Sequence, residues 1–242
     1  MPEVSSNQHE LMVRVLTASG GVPLEGLTPK GYSGKIADVL FEKDGVVAEV
    51  KAIASDRTRD PEVSRAIGEM LNLNVHAGAP VIFGTKTINV ADLPLPVAEK
   101  AMRILGKRVQ SEVTRANSQI KASKLILDMP NAYGLLVFIT PPFRLNRWSV
   151  GWLVHNAIRG GACRSINGIM IVESPIAVTS EVPLPRDSYL SFHSRGGRQL
   201  SMVLKKRIGR AWGAITEQEM KRAKVDDFFQ PTPGPVKGFA DG

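Results

Sequence analysis

Hydrophobic and polar residues follow a helical period in five segments of the chain. In residues 7–19, Leu11, Val15 and Ala18 recur at helical spacing, and Gly20-Gly21 predicts the end of that helix. The other segments are residues 61–77, residues 96–128 with a break expected near Gly106, residues 146–161, and a segment that ends near residues 220–229. The pattern therefore predicts five helical segments.

Apolar runs of strand length lie between these helices. Two of them, residues 35–42 and 46–54, flank Lys43-Asp44-Gly45, and an Asp-Gly pair between apolar runs predicts a β-hairpin. Further strands are predicted over residues 79–85, 132–140 and 166–174. Strands that alternate with helices predict an α/β fold with a mixed sheet flanked by helices.

Changes in composition divide the chain into three parts. We predict an α/β core over residues 1–185, with an insertion at about residues 54–95. Basic residues outnumber acidic ones after that core, so residues 186–229 are predicted to form a basic C-terminal extension. Residues 230–242 are rich in proline and glycine, and we predict that they form a disordered tail.

The overall charge points to a polyanionic partner. The chain of 242 residues carries 31 basic and 23 acidic side chains, a formal net charge of +8. A basic excess of this size favours nucleic acid as the partner, with an acidic membrane surface as the weaker alternative. With 43% hydrophobic residues, the chain is also long enough to bury a substantial core.

Cysteine content and hydropathy exclude other classes of protein. The single cysteine, Cys163, rules out an intramolecular disulfide and a cysteine-rich zinc site. No run of about 18 apolar residues occurs, so a membrane span is not expected. The polar N-terminal residues lack the apolar core of a signal peptide, and we therefore expect a cytoplasmic protein.

Three charged residues lie inside the predicted hairpin, where the surrounding residues are apolar. Asp38 belongs to its first half, and Glu49 and Lys51 to its second. Charged groups in such a setting are costly to bury unless they are paired or bind a metal. Glu49 and Lys51 are two residues apart and leave the same face of the sheet. Two neighbouring carboxylates repel each other, and a divalent cation such as Mg²⁺ relieves that repulsion.

A purely structural interpretation of these charges stays open at this point. Glu49 and Lys51 would then form a surface ion pair on a half-exposed strand, and Asp38 would be a polar residue at an exposed edge. Apolar residues occupy both alternating sets of positions in the hairpin, however, so neither face has the composition of a solvated surface. The pattern therefore favours a binding site.

These residues also resemble a known family. Asp38, followed after ten residues by Glu49-Val50-Lys51, resembles the D…(D/E)-x-K signature of the PD-(D/E)XK nucleases, the restriction-endonuclease-like superfamily. The order of elements over roughly residues 7–174 is similar to the core of that family. Two features depart from it. Ile36-Ala37 stands where the family name has its proline, and the segment from residue 52 to the long helix is longer than a minimal core needs.

The resemblance implies a restriction-endonuclease-like sheet, a Mg²⁺- or Mn²⁺-dependent nuclease, and roles for individual residues. Asp38 and Glu49 would hold the metal together with the backbone carbonyl of Val50. Lys51 would be the catalytic lysine. Many members add a glutamate from the first helix and a glutamine or lysine from a helix after the signature. The matching residues here are Glu10, and Gln119 or Lys121. The family also includes homodimers, so a homodimer is a further expectation.

We therefore expect a nuclease that hydrolyses phosphodiester bonds, with DNA as the substrate. Basic residues of the long helix and of the C-terminal extension would contact the phosphate backbone. These residues are Lys107, Arg108, Arg115, Lys121, Lys124, Arg195, Arg198, Lys205, Lys206 and Arg207. The alternatives are that they line solvated helix faces, that the chain is a non-catalytic nucleic-acid-binding or assembly protein on the same fold, or that the carboxylates serve a different metal chemistry.

Overall fold

A computed structural model describes residues 3–27, 31–53, 60–84, 88–140, 147–173 and 189–229. Five α-helices and six strands lie within these ranges. The helices are α1 (Glu3–Ala18), α2 (Pro61–Asn72), α3 (Leu95–Ile126), α4 (Arg147–Ile158) and α5 (Met202–Phe229). The strands are β1 (Val22–Pro23), β2 (Val39–Phe41), β3 (Val46–Ala52), β4 (Tyr133–Thr140), β5 (Gly168–Glu173) and β6 (Tyr189–Ser194).

The strands form one mixed sheet in the order β1-β2-β3-β4-β5-β6. Strands β3, β4 and β5 run parallel to one another, whereas β1, β2 and β6 pair antiparallel with their neighbours. The predicted α/β fold with a mixed sheet flanked by helices is therefore confirmed. The carboxyl ends of β3, β4 and β5 meet at one end of the sheet, and their amino ends meet at the other.

Helices cover both faces of the sheet. Helices α1 and α5 pack on one face, where Leu16 and Ile208 share an apolar cluster with Val137. Helices α3 and α4 pack on the other face, where Ile120 and Val154 belong to the second cluster. All eight residues of β4 are buried because this strand has helices above and below it.

Helix α3 continues into a third, smaller cluster. Its first turns pack against α2 through Val97, Ala101 and Leu71, and Ala79 and Leu93 also belong to this cluster. The predicted helix over residues 61–77 ends at Asn72 and is followed by a 3₁₀ turn, Val75–Ala77.

Two local predictions were wrong. The strand predicted over residues 79–85 is not present in its described part, 79–84, because Ala79 and Ile82 pack on the third cluster instead of pairing with a strand. The break expected near Gly106 is also absent, and α3 runs continuously through it. Gly106 instead permits close packing of α4, since a Cβ there would lie 2.1 Å from Leu153 Cδ2.

Other predictions lie outside what the structure tests. The tail predicted to be disordered, residues 230–242, is outside the described residues. The proposed division into core, insertion and extension stays a prediction. Within the described part of the chain, none of the helices combines the length and hydrophobicity that a membrane crossing requires.

Candidate functional site

The hairpin brings Asp38 close to Glu49. Val39 pairs with Ala48, and the Asp38 N–H donates to the Ala48 carbonyl at 3.1 Å. Strand β2 begins at Val39, so Asp38 directly precedes the strand that was expected to include it. A short 3₁₀ turn ends at Gly45 with φ of +62°, a conformation that glycine adopts without strain. Glu49 shares its face with Val47, on the side of the sheet that α3 covers, whereas Asp38 lies next to α1 at the edge of the hairpin.

Both oxygens of Asp38 have partners. Its Oδ2 accepts a hydrogen bond from the Val50 N–H at 2.7 Å. Its Oδ1 lies 3.1 Å from Nε2 of His9, a residue of α1. The carboxylate is therefore held at the end of the hairpin by one backbone contact and one side-chain contact.

Glu49 is a buried carboxylate that is only half satisfied. Its exposed fraction is 1%, and Oε1 lies 2.5 Å from Lys51 Nζ. Oε2 has no hydrogen-bond partner among the described residues. Burial, followed by the charge of Asp38, raises the pKa of Glu49 to about 8, although Lys51 opposes the shift. A cation bound at this position would stabilise the ionised carboxylate.

Lys51 is fixed from two sides. Its ammonium contacts Glu49 and also donates to Gln119 Oε1 at 2.9 Å. The Gln119 amide group donates in turn to the Ile36 carbonyl at 3.0 Å. Gln119 thus ties α3 to the hairpin and holds the lysine at the floor of the site.

These residues line one cleft of about 350 Å³. It lies at the carboxyl end of β3, between α1 and α3. Its lining residues are His9, Glu10, Asp38, Glu49, Val50, Lys51, Ala52 and Gln119. The structure therefore brings together all the residues that the sequence predicts as catalytic or metal-binding, from three separate parts of the chain.

His9 is a member of the site that the sequence analysis does not predict. A lone histidine with no characteristic spacing to a second ligand carries no sequence signal of its own. Its position directly before Glu10 is the only hint in the sequence. The packing of α1 against the hairpin decides that His9 reaches Asp38.

The donors in the cleft suit a hard divalent cation. Asp38 and Glu49 supply carboxylate oxygens. The Ala48 carbonyl faces β2, and alternate residues of a strand point their carbonyls to the same neighbour. The Val50 carbonyl therefore points to the same side, past the start of β2. Two carboxylates, one carbonyl and waters match the preference of Mg²⁺. The described residues contain no group of three His, Cys, Asp or Glu side chains that could hold a metal.

The residues predicted to bind nucleic acid fall into two sets. On α3, Lys107, Arg108 and Arg115 line a groove of about 430 Å³ together with Ser111 and Glu112. Lys121 is also exposed. It is two residues from Gln119 and therefore roughly 160° around the helix from it. The groove and the cleft share α3 as a common wall.

The second set lies at the amino ends of β4 and β5, where many of its cations bind the protein itself. Lys124 is only 8% exposed and donates to the Ser165 carbonyl at 3.0 Å. Burial, with a smaller contribution from Arg198, lowers its pKa to about 8. The prediction that Lys124 contacts nucleic acid was therefore wrong, because its ammonium is enclosed.

The remaining basic residues surround that end of the sheet. Arg195 donates to the Cys163 carbonyl, Arg198 donates to the Asn131 carbonyl at 2.6 Å, and Arg207 pairs with Asp44. Lys205 lies 5.7 Å from the centre of the Phe192 ring, and Lys206 is exposed. At least three of the predicted phosphate contacts thus have internal partners.

Comparison with known proteins assigns the chain to no family. Neither family models nor curated proteins nor solved structures match it. The function is therefore inferred from the chemistry of the cleft.

Proposed function

We propose that the chain is a metal-dependent nuclease that hydrolyses phosphodiester bonds in nucleic acid, with DNA as the expected substrate. The observation that supports this best is the half-satisfied carboxylate of Glu49, buried close to Asp38 and beside Lys51 in an open cleft. Burial makes the ionised form of this acid costly even with Lys51 beside it, and a bound divalent cation would stabilise that form.

Asp38, Glu49 and the Val50 carbonyl would hold Mg²⁺ or Mn²⁺. When bound, the cation would polarise the phosphate and lower the pKa of a water molecule, which supplies the nucleophile. The Val50 N–H keeps Asp38 in place at 2.7 Å, so the carboxylate is oriented before any ligand arrives. Preorganisation of this kind is what makes an electrostatic site effective.

Lys51 would stabilise negative charge that develops on the phosphate oxygens, or orient the attacking water. Its ammonium is held by Gln119, which restricts the side chain to the floor of the cleft. Glu10 and His9 form the opposite wall on α1. Glu10 would add a carboxylate toward the substrate side, and His9 would keep Asp38 in its position.

The remaining expectations belong to the same proposal. We further propose that the mixed sheet has a restriction-endonuclease-like arrangement, since its hairpin presents Asp38, Glu49 and Lys51 at the carboxyl end of β3. The homodimer and the cytoplasmic location stay predictions.

A second candidate is a non-catalytic nucleic-acid-binding or assembly protein. The observation in its favour is that the described residues contain no cluster of three metal-ligating side chains. Under this alternative, Lys51 and the charge-paired carboxylate would stabilise the hairpin, and the basic groove on α3 would bind nucleic acid without cleavage.

Cleavage of plasmid, linear and single-stranded DNA with Mg²⁺, Mn²⁺ or EDTA tests the choice. We expect metal-dependent cutting that falls at least about a hundred-fold in Lys51→Ala, because the charge facing the phosphate is lost. Lys43→Ala is the matched control, since Lys43 is an exposed lysine in the turn of the same hairpin. Equal activity in the two variants would refute the site, and binding without cutting by the wild-type protein would favour the second candidate.

A further inference from the structure

One face of α3 leads directly out of the cleft. Arg108, Glu112, Arg115 and Gln119 follow one another at spacings of four, three and four residues, which places them on a single stripe of the helix. Gln119 marks the end of the stripe inside the cleft, where it contacts Lys51. We refer to these four residues as the α3 stripe.

The stripe forms a groove with a positive balance. Arg108, Glu112 and Arg115 line it together with Lys107 and Ser111. The acid in the groove, Glu112, accepts a hydrogen bond from Arg115 at 3.1 Å. This contact anchors one guanidinium nitrogen while the Arg115 side chain stays 68% exposed. The remaining N–H donors of the Arg115 guanidinium still face solvent, in a geometry suited to phosphate oxygens.

The length of the stripe matches several nucleotides. With a rise of about 1.5 Å per residue, Arg115 lies roughly 6 Å and Arg108 roughly 17 Å from Gln119 along the helix axis. Each strand of duplex DNA carries one phosphate per about 3.4 Å of its axis. A backbone whose scissile phosphate lies in the cleft therefore has further phosphates within reach of both arginines.

We propose that the α3 stripe binds the phosphodiester backbone on one side of the cleaved bond, so that substrate enters or leaves the cleft along α3. This inference rests on the proposed function for the identity of the cleft. The ligand of the groove is then a phosphodiester chain, which DNA and RNA share. The main contact with this chain is made by the α3 stripe rather than by the basic residues at the amino ends of β4 and β5.

Binding in EDTA tests the inference without cleavage. Fluorescence anisotropy would follow short labelled single-stranded DNA, duplex DNA and RNA added to the wild-type protein, Arg108→Ala and Arg115→Ala. Arg103→Ala is the control, because Arg103 is a 64% exposed cation of the same helix. It lies five residues before Arg108 and therefore roughly 140° around the helix from it.

We expect each stripe variant to bind several-fold more weakly, with the slope of log affinity against log salt reduced by about one. The loss should be similar for whichever polymer binds, because the contacts are to phosphates. Arg103→Ala should match the wild-type protein.

Two results separate this inference from the proposed function. If the protein binds nucleic acid through Arg108 and Arg115 but cuts no substrate, phosphate binding by the α3 stripe is supported and the proposed nuclease activity is refuted. If the protein cuts nucleic acid but both stripe variants bind and cut as Arg103→Ala does, phosphate binding by the α3 stripe is refuted. The proposed nuclease activity is then unaffected. If none of the three polymers binds the wild-type protein, phosphate binding by the α3 stripe is also refuted.

Discussion

The two ends of the central sheet each enclose a buried ionisable side chain, but its surroundings differ between them. At the carboxyl end of β3, Glu49 keeps one oxygen without a partner among the described residues and faces an open cleft. At the amino end of β4, Lys124 is enclosed and donates to a carbonyl and to the Asn167 amide oxygen. Strand β3 has seven residues and therefore spans roughly 20 Å between the two ends.

The difference teaches how to distinguish a structural charge from a functional one. A buried charge whose hydrogen bonds are provided by the protein holds loops together and is costly to remove. A buried acid with an unused oxygen, beside a second acid and an open volume, is costly to ionise unless a ligand stabilises the charge. Burial alone does not show that Lys124 has a structural role and Glu49 a functional one, but their hydrogen-bond partners do.

The largest expected effect is on cleavage, and it distinguishes the two aspartates of the hairpin. Asp38→Asn should reduce cleavage at least about a hundred-fold and weaken Mn²⁺ binding, since a carboxylate donor is lost. Asp44→Asn, at the other end of the hairpin, breaks the contact to Arg207 and should affect stability instead. Cleavage assays and calorimetric Mn²⁺ titration measure both variants. If Asp44→Asn lost metal binding as strongly as Asp38→Asn, the contrast between the two ends would fail.

The next effect follows from the raised pKa of Glu49. The unfolded chain releases this proton near the ordinary pKa of 4.5, whereas the folded chain keeps it up to about 8. The folded state therefore binds more protons across this window, and its stability falls as pH rises, by at most about 1.4 kcal/mol per pH unit.

Urea unfolding in EDTA at several pH values measures this dependence. Glu49→Gln should flatten it, because the amide does not titrate. Glu42→Gln, which changes an exposed acid in the turn of the same hairpin, should keep the wild-type slope. Parallel curves for wild type and Glu49→Gln would show that Glu49 does not carry the raised pKa.

The smallest effect concerns the amino end. Lys124→Ala should lower the free energy of unfolding by about 2–3 kcal/mol, because the Ser165 carbonyl and the Asn167 side chain lose a charged donor. Lys121→Ala, on the exposed side of the same helix, should change it by less than about 0.5 kcal/mol. Equal urea midpoints for the two variants would show that Lys124 is not a structural charge.

Local patterns predicted most elements because they depend on neighbouring residues. The hairpin, β4 and β5 were readable from apolar runs bounded by turn residues. Strand β6 was not predicted, since an edge strand carries polar residues such as Ser191 and His193. The run at 79–84 was predicted as a strand because a short apolar segment has no period that distinguishes sheet from helix packing.

The sequence by itself determined the charged core of the site. Asp38, Glu49 and Lys51 lie within one hairpin, and the turn fixes the register of its strands and the common face of Glu49 and Lys51. Only the tertiary structure decided which helix residues join them and which cations remain exposed. Periodicity defines the buried face of a helix but not its position along the sheet. The packing of α1 and α3 therefore had to place His9 and Gln119 at the cleft, and Lys124 in the interior.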